Sequence, residues 1–348
     1  MSPSLDTLST SRDFEPMRGS TGWIVTDGRR RSVAITEGVA TALGLDTEHK
    51  HVAARTLWST QPMWSLLYPQ EALFADTRPP WPDIAIAAGH RTIPYLQALR
   101  RASEGATFTV YLHPPSTRLD IADLIWCPAH EHRRAPNIIS TLTNPLGVRP
   151  HQISSLRNVP IPGVDALDGP VAALLAGPNR VFDAAALSRL AECLRNLSAA
   201  GVNILVAPCD RTRTRLVQTI AKSTRSAKRV VWAREAGSQW TFLAHADFII
   251  VTADSVNRTS AACATGRPVY VFDPDTGSKK LRCFHETLRQ YGATRPLTVN
   301  TRPTETWSYP PLDAAAKIAS EILRRFNAAR APSTRRPVPE SLARAGLC

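Results

Sequence analysis

The chain has 348 residues, 43% hydrophobic and 20% charged, the balance of a folded protein long enough for two cores. No apolar run reaches the length of a membrane-spanning helix, and the opening residues lack the apolar stretch of a secretory signal. With 42 Lys and Arg against 29 Asp and Glu, the net charge of +13 points to an anionic partner (a nucleotide, a phosphorylated lipid, a membrane surface or nucleic acid) or to an arginine-rich coding bias.

Residues 1–20 read as a disordered arm; Asp6, Asp13 and Glu15 argue against a transit peptide. The pattern predicts a strand over 22–26, a turn at Asp27–Gly28 and a helix over 34–45. A second unit follows: a strand over 84–88, a turn at Gly89–His90 and a helix from about Thr92 to Ala102. Apolar runs at 106–114 and 123–128 predict buried strands, and 135–150 a short strand with a loop. Strands alternating with helices, each strand nearly all apolar, predict a parallel sheet covered on both faces.

Residues 149–169 turn proline-rich and polar, as a linker does. The alternation then restarts. A strand at 171–176 leads to a helix with Leu187, Leu190, Leu194 and Leu197 on one face. Next come a strand from Asn203, a polar turn, a helix and a strand at 229–233. The stretch His245 to Phe272 reads strand, turn, helix, turn, strand. A helix over 279–293 and a final amphipathic helix with Ile318, Ile322 and Phe326 aligned complete the pattern. The expected architecture is α/β, two doubly wound Rossmann-like domains facing a cleft: 21–160, 161–330, then a basic tail over 331–348.

In such sheets ligands sit beyond the carboxyl ends of the strands. The residues there are rich in Gly, Arg, Ser, Thr and Asn, which bind phosphate and ribose through amides, guanidinium forks and hydroxyls. Ser255 stands where a strand enters a helix, with Thr259 and Ser260 one turn on. It reads either as a simple N-cap or as part of a phosphate site at the helix's positive end. Gly266 ends that helix and Pro268 stops its continuation. His90 has the chemistry of a general base, or of a capping residue. Arg29, Arg30 and Arg31 suit an anionic acceptor or a solvated face. Asp273 and Asp275 have a metal-chelating spacing, but Pro274 favours a turn; His130 and His132 read as a solvated loop. Six cysteines without C-x-x-C pairs read as reduced thiols. No interleaving of aromatic and basic residues suggests nucleic acid.

The stretches TDG at 26–28, AGHRTIP at 88–94, PNIISTL at 136–142, AGPNRVF at 176–182 and the whole run from 245 to 272 resemble the ELM (elongated mitochondria) fission-factor family of plants and many proteobacteria. That family is similar to the two-domain GT-B glycosyltransferases, and at its second domain to the peptidoglycan lipid-linked glucosaminyl transferase. The resemblance implies a nucleotide-sugar donor as substrate, no cofactor and no metal. It implies a cytoplasmic place at the inner face of a bacterial membrane, with an anionic, lipid-linked or cell-envelope acceptor. Matched by position, Gly177, Asn179, Arg180, Arg211, Thr212, Ser255, Thr259 and Ser260 are implied to bind the nucleotide phosphates. Gly28, Gly89, Arg91 and Thr92 are implied on the acceptor side, with Asp27 or His90 as catalytic base. The chain departs from the family at three places: Ala261 replaces an acidic residue, Arg29–Arg31 replace a glycine and polar residues, and SQWT (238–241) replaces Asn-Pro-Tyr. Ala261 and the Arg29–Arg31 loop favour the alternative, a non-catalytic scaffold of the kind the plant relatives resemble, while the retained GPNR (177–180) and TADS (252–255) favour the enzyme.

Overall fold

A computed structural model describes residues 17–52, 79–114, 119–162, 164, 167–178, 182–235, 237–274 and 277–330. Most of the expected arm, residues 1–16, and the basic tail, 331–348, lie outside the described residues.

Two parallel six-stranded sheets follow one another along the chain. The first holds β1 (Thr21–Thr26), β2 (Asp46–His51), β3 (Ile84–Ala87), β4 (Phe108–Tyr111), β5 (Leu124–Pro128) and β6 (Ile138–Thr141) in the order β2-β1-β3-β4-β5-β6. The second holds β7 (Val171–Ala176), β8 (Asn203–Pro208), β9 (Arg229–Trp232), β10 (Phe248–Thr252), β11 (Val269–Phe272) and β12 (Thr294–Pro296) in the order β12-β11-β10-β7-β8-β9. The strand order reverses direction between β1 and β3 in one sheet, and between β7 and β10 in the other. Those two points are where doubly wound folds open a crevice for ligands.

The central strands are wholly buried because helices cover both faces. Nine helices are described: α1 (Arg30–Leu43), α2 (Ile93–Ala102), α3 (Pro150–Ser155), α4 (Ala184–Ala199), α5 (Thr214–Ser223), α6 (Ser238–His245), α7 (Val256–Cys263), α8 (Lys279–Gln290) and α9 (Ala314–Arg330). The leucine stripe of α4 packs as expected, with Leu187, Leu190, Leu194 and Leu197 all buried against Ile204, Val206 and Ile250. The segment 149–169 is not wholly a linker: Pro150 pre-sets the first turn of α3, and the Gln152 side chain accepts the Arg149 amide (2.8 Å). Ile153 of α3 then joins the core of the second half with Phe242 of α6.

Helix α9 closes on the first sheet rather than the second. Ala315, Ile318, Ala319, Ile322 and Phe326 share a core with Ile24, Val39 and Leu43. An amphipathic stripe fixes which face a helix buries, but not against what. The loop after β6 binds the halves from the other side. The Asn144 amide donates to Ser260 Oγ (3.0 Å) and its side chain to Asn257 Oδ1 (2.8 Å), both on α7. Gly38 of α1 lets this loop approach: a Cβ there would lie 2.1 Å from the Leu146 carbonyl oxygen. Among the described residues no helix is long and apolar enough to cross a membrane.

Candidate active site

Each switch point presents an aspartate and a glycine from adjacent strand ends. In the first half β1 delivers Asp27 and β3 delivers Gly89. The Asp27 side chain is 2% exposed and its Oδ2 lies 3.3 Å from Arg29 Nε. That oxygen is nonetheless buried without a hydrogen bond. Gly89 is held at φ 99° and ψ 146°, a conformation close to glycine-only, and a Cβ there would sit 3.4 Å from Asp27 Oδ2. The Thr92 hydroxyl, wholly buried, donates to the Gly89 carbonyl (2.8 Å) and holds the turn. Gly28 turns the chain at φ 76°, its amide on Thr26 Oγ1 (3.1 Å). His90 and Arg91 are exposed on the rim. The His90 ring meets His113 edge to face at 5.0 Å. Behind them Tyr111 is wholly buried with an unpartnered hydroxyl. Burial, and then the Asp27 charge, push its pKa well above the usual phenol range.

In the second half β7 delivers Gly177 and β10 delivers Thr252 and Asp254. The Gly177 amide donates to Thr252 Oγ1 (2.7 Å), which donates in turn to Asp254 Oδ1 (2.8 Å). A Cβ on Gly177 would lie 2.3 Å from that same oxygen, so only glycine fits. Ser255 begins α7 with no side-chain cap, which leaves the first-turn amides and the positive end of the helix unsatisfied by its hydroxyl. On the neighbouring loop the Thr212 hydroxyl is consumed within the fold. It accepts the Cys209 amide (2.8 Å) and donates toward the Ala176 carbonyl (3.1 Å), so Thr212 positions Arg211 from behind. Arg258, half-buried in the first turn of α7, braces the same loop through the Ala207 carbonyl (2.7 Å).

Thr259 and Ser260 are wholly buried. Thr259 Oγ1 donates to the Ser255 carbonyl (3.2 Å) and Ser260 Oγ takes the Asn144 amide, so both hydroxyls are spent inside the protein rather than facing the crevice. Asn179 and Arg180 lie outside the described residues.

Arginines beside the two switch points lie within electrostatic reach of each other. Arg31, in the first turn of α1, has its pKa lowered by burial and then by the Arg211 charge from the other half. Among the described residues neither guanidinium has an ion-pair partner. His113 is lowered as well, by burial first; its Nδ1 contact with the Pro114 carbonyl (2.9 Å) opposes this, and the charges of His90, Arg31 and Lys280 add to it. Lys280 of α8 is itself paired with Glu131. Cations from both halves thus converge on one space. Arg31, Asp254 and Arg258 complete a group that sequence reading assembled only in part; the signal for Arg258 was its place three residues past the helix start.

The histidines at 130 and 132 divide: His130 is buried edge-on to Phe284 of α8 (5.4 Å) at the seam between the halves, whereas His132 is exposed, as a solvated loop predicts, with its Nε2 3.2 Å from Cys283 Sγ. Asp275 lies outside the described residues, among which no group of three or more His, Cys, Asp or Glu is arranged to hold a metal.

The sequence profile of a family described as mitochondrial fission ELM1 matches residues 32–326. The chain belongs to the mitochondrial fission ELM1 family. The mitochondrial fission protein ELM1 of Arabidopsis thaliana is 30% identical over 283 residues, which cover 73% of this chain and 66% of the plant protein, just under two thirds of its length. Among solved structures, a glycosyltransferase from Rickettsia africae ESF-5 superposes with a TM-score of 0.50 at 12% identity, over 88% of this chain and 99% of that one. MurG of Acinetobacter baumannii gives 0.48 at 12% identity, over 88% and 92%. This ELM1-family chain therefore has a GT-B-like fold, two Rossmann-like halves facing a cleft.

Proposed function

We propose that the protein transfers a sugar from a nucleoside-diphosphate donor to an anionic acceptor, without a metal. One observation carries this reading: Arg31 and Arg211, exposed side chains from opposite halves, lie within electrostatic reach of each other, and among the described residues neither has an ion-pair partner. Like charges within reach of each other repel, and an anion between them turns that repulsion into attraction. A diphosphate answers that need. The uncapped start of α7 and the Gly177 loop supply amides, and Arg211 the charge that stabilises a departing diphosphate, a task that metals perform elsewhere.

Of the two candidate bases, His90 is the exposed one and takes the acceptor proton; Asp27 lies on the floor as a fixed negative charge. Ala261 is buried in the core and offers no carboxylate to the ribose, so the diphosphate contacts carry most of the affinity. The acceptor is an anionic lipid-linked or cell-envelope molecule, and the excess of basic residues holds the protein to the inner membrane surface.

Calorimetry with nucleoside diphosphates tests the reading. Arg211→Ala should weaken binding by about ten- to a hundredfold, the worth of one charge-assisted contact of roughly 1.5–3 kcal/mol. Arg31→Ala should follow it. If the intact protein binds no nucleotide at millimolar ligand, or if Arg211→Ala and Ser255→Ala bind as it does, the scaffold alternative takes its place.

A further inference from the structure

Strand β9 is the edge of the second sheet, and α5 is the helix that leads into it. Residues 211–234, which span both, hold eight Lys and Arg and no Asp or Glu, so much of the chain's excess of basic residues gathers in this one stretch. Packing puts those cations on the surface. Leu216 and Ile220 of α5 are buried in the core of the second half. Arg215 and Lys222 stand seven residues apart, about two turns, so they line up on the solvent side of the helix, and both are exposed. Arg213 precedes the helix, Arg225 follows it, and Arg229 and Arg234 bracket β9; all four are exposed. The patch therefore runs the length of α5, about 15 Å, and on to the sheet edge.

Little neutralises it. Among the described residues Lys228 is the one cation of the stretch with an ion pair, to Asp168 (2.5 Å). The adjoining α4 exposes Arg189 and Arg195 against a single glutamate, Glu192, and so adds no compensating charge. Charges beside an edge strand guard it against stray pairing, which accounts for Arg229 and Arg234. That role does not account for the row along α5, where like charges only repel one another.

We propose that the face formed by α5 and β9 is the surface on which the protein lies against an anionic lipid bilayer, with lipid phosphates between these cations. The proposal rests on the membrane-surface reading above and says which face meets the lipid. A bilayer fits better than RNA. Trp232, the one aromatic residue of the stretch, is half-buried and packed against the core, so the face offers no ring for an unstacked base. A bilayer asks only for cations spread over a surface, each adding an attraction that fades within a Debye length. Because Arg213 stands next to Arg211, the patch begins at the rim of the candidate active site. A protein lying on this face holds its crevice beside the headgroups, where a lipid-linked acceptor is found.

Co-sedimentation of the full chain with phosphatidylcholine vesicles, with and without phosphatidylglycerol, tests this. Binding is expected only with the anionic lipid and should weaken as salt rises. The triple variant Arg215→Glu, Lys222→Glu, Arg225→Glu should bind at least about tenfold more weakly, with an unchanged far-UV spectrum. The milder Arg215→Gln, Lys222→Gln, Arg225→Gln should fall between it and the parent. A control with the same change of charge at exposed positions elsewhere, Arg101→Glu, Arg302→Glu, Lys317→Glu, should lose far less. The proposal is overturned if the control loses as much as the charge-reversed patch, which would leave membrane binding to overall charge, or if either patch variant binds as the parent does. It is overturned too if duplex RNA, at equal phosphate concentration, strips the protein from the vesicles, for the face would then belong to nucleic acid. If the intact protein ignores anionic vesicles even at low salt, the membrane-surface reading falls with it.

Discussion

The two switch points share a plan and differ in how firmly it is held. In both, a strand-end glycine faces an aspartate from the neighbouring strand. In the second half Thr252 bridges the Gly177 amide and the Asp254 carboxylate, and no gap remains between glycine and carboxylate. In the first half the Asp27 oxygen nearest Gly89 has no hydrogen bond, and the Tyr111 hydroxyl behind it has none either. A fully bonded corner has one arrangement, whereas a corner with orphaned groups has capacity left for an incoming polar group. On the function proposed above, the contrast would divide a preformed grip on the diphosphate from a more adaptable acceptor side.

Substituting the glycines separates the two corners. Gly177→Ala should have the largest effect, because its methyl group must displace a carboxylate that is locked in place. A loss of about 2–3 kcal/mol is expected, the upper part of the range for overpacking, read as a lower melting temperature together with loss of nucleotide binding. Gly89→Ala should cost somewhat less, about 1–2 kcal/mol, from backbone strain alone, since its added methyl finds ordinary contact distances. Its nucleotide affinity should persist. Equal losses of nucleotide binding in both variants would erase the distinction between the corners.

A smaller effect follows from the buried histidines. His285 donates through Nε2 to the Ala253 carbonyl (2.7 Å), just behind Asp254, and burial is the main cause of its lowered pKa. His113 and His130 are lowered by burial too. A histidine whose folded pKa lies below the unfolded value of about 6.5 stabilises the fold fully above that pH. The contribution is then lost as the pH falls from there through the folded pKa. Melting temperature should decline as the pH falls below about 6.5, and His285→Gln should flatten that slope; a slope identical in the variant would remove His285 from the account.

The smallest effect on stability is expected at Asp27. Asp27→Asn removes a buried charge with an unsatisfied oxygen and should change stability by less than about 1 kcal/mol, in either direction, while reducing any transfer activity. A large loss of stability would mean that Asp27 is as tightly built in as Asp254.

Much of this frame was legible in the chain itself. The central strands are unbroken apolar runs, and runs such as Ile84–Ala87 and Phe248–Thr252 can only be buried strands between turn residues. Strand β2, with the sequence DTEHKH, shows no such signal, because it is an exposed edge held by main-chain pairing to β1. Strand β12 is three residues long and ends in proline, too short to carry a pattern. The positions of Gly28, Gly89 and Gly177 at strand ends could be read directly. The spent hydroxyls of Thr212, Thr259 and Ser260 could not, since a hydroxyl looks the same in sequence whether it faces a ligand or a carbonyl. Nor could the electrostatic reach between Arg31 and Arg211, which are 180 positions apart in the chain.

Helix α9 has a consequence for synthesis. The first core includes residues 315–326, so a nascent chain that has emerged only as far as α3 still exposes the Ile24, Val39 and Leu43 surface that α9 will cover. The second half has its own strands and most of its core before α9 is made, yet the first must wait for the last helix. Assembly is therefore not simply from the amino end forward, and contacts of such long sequence separation slow the final step. An amino-terminal fragment cut at the linker should be a poor folder and a ready chaperone client, and a destabilising change in α9, such as Ile318→Asp, should damage the half of the protein that is translated first.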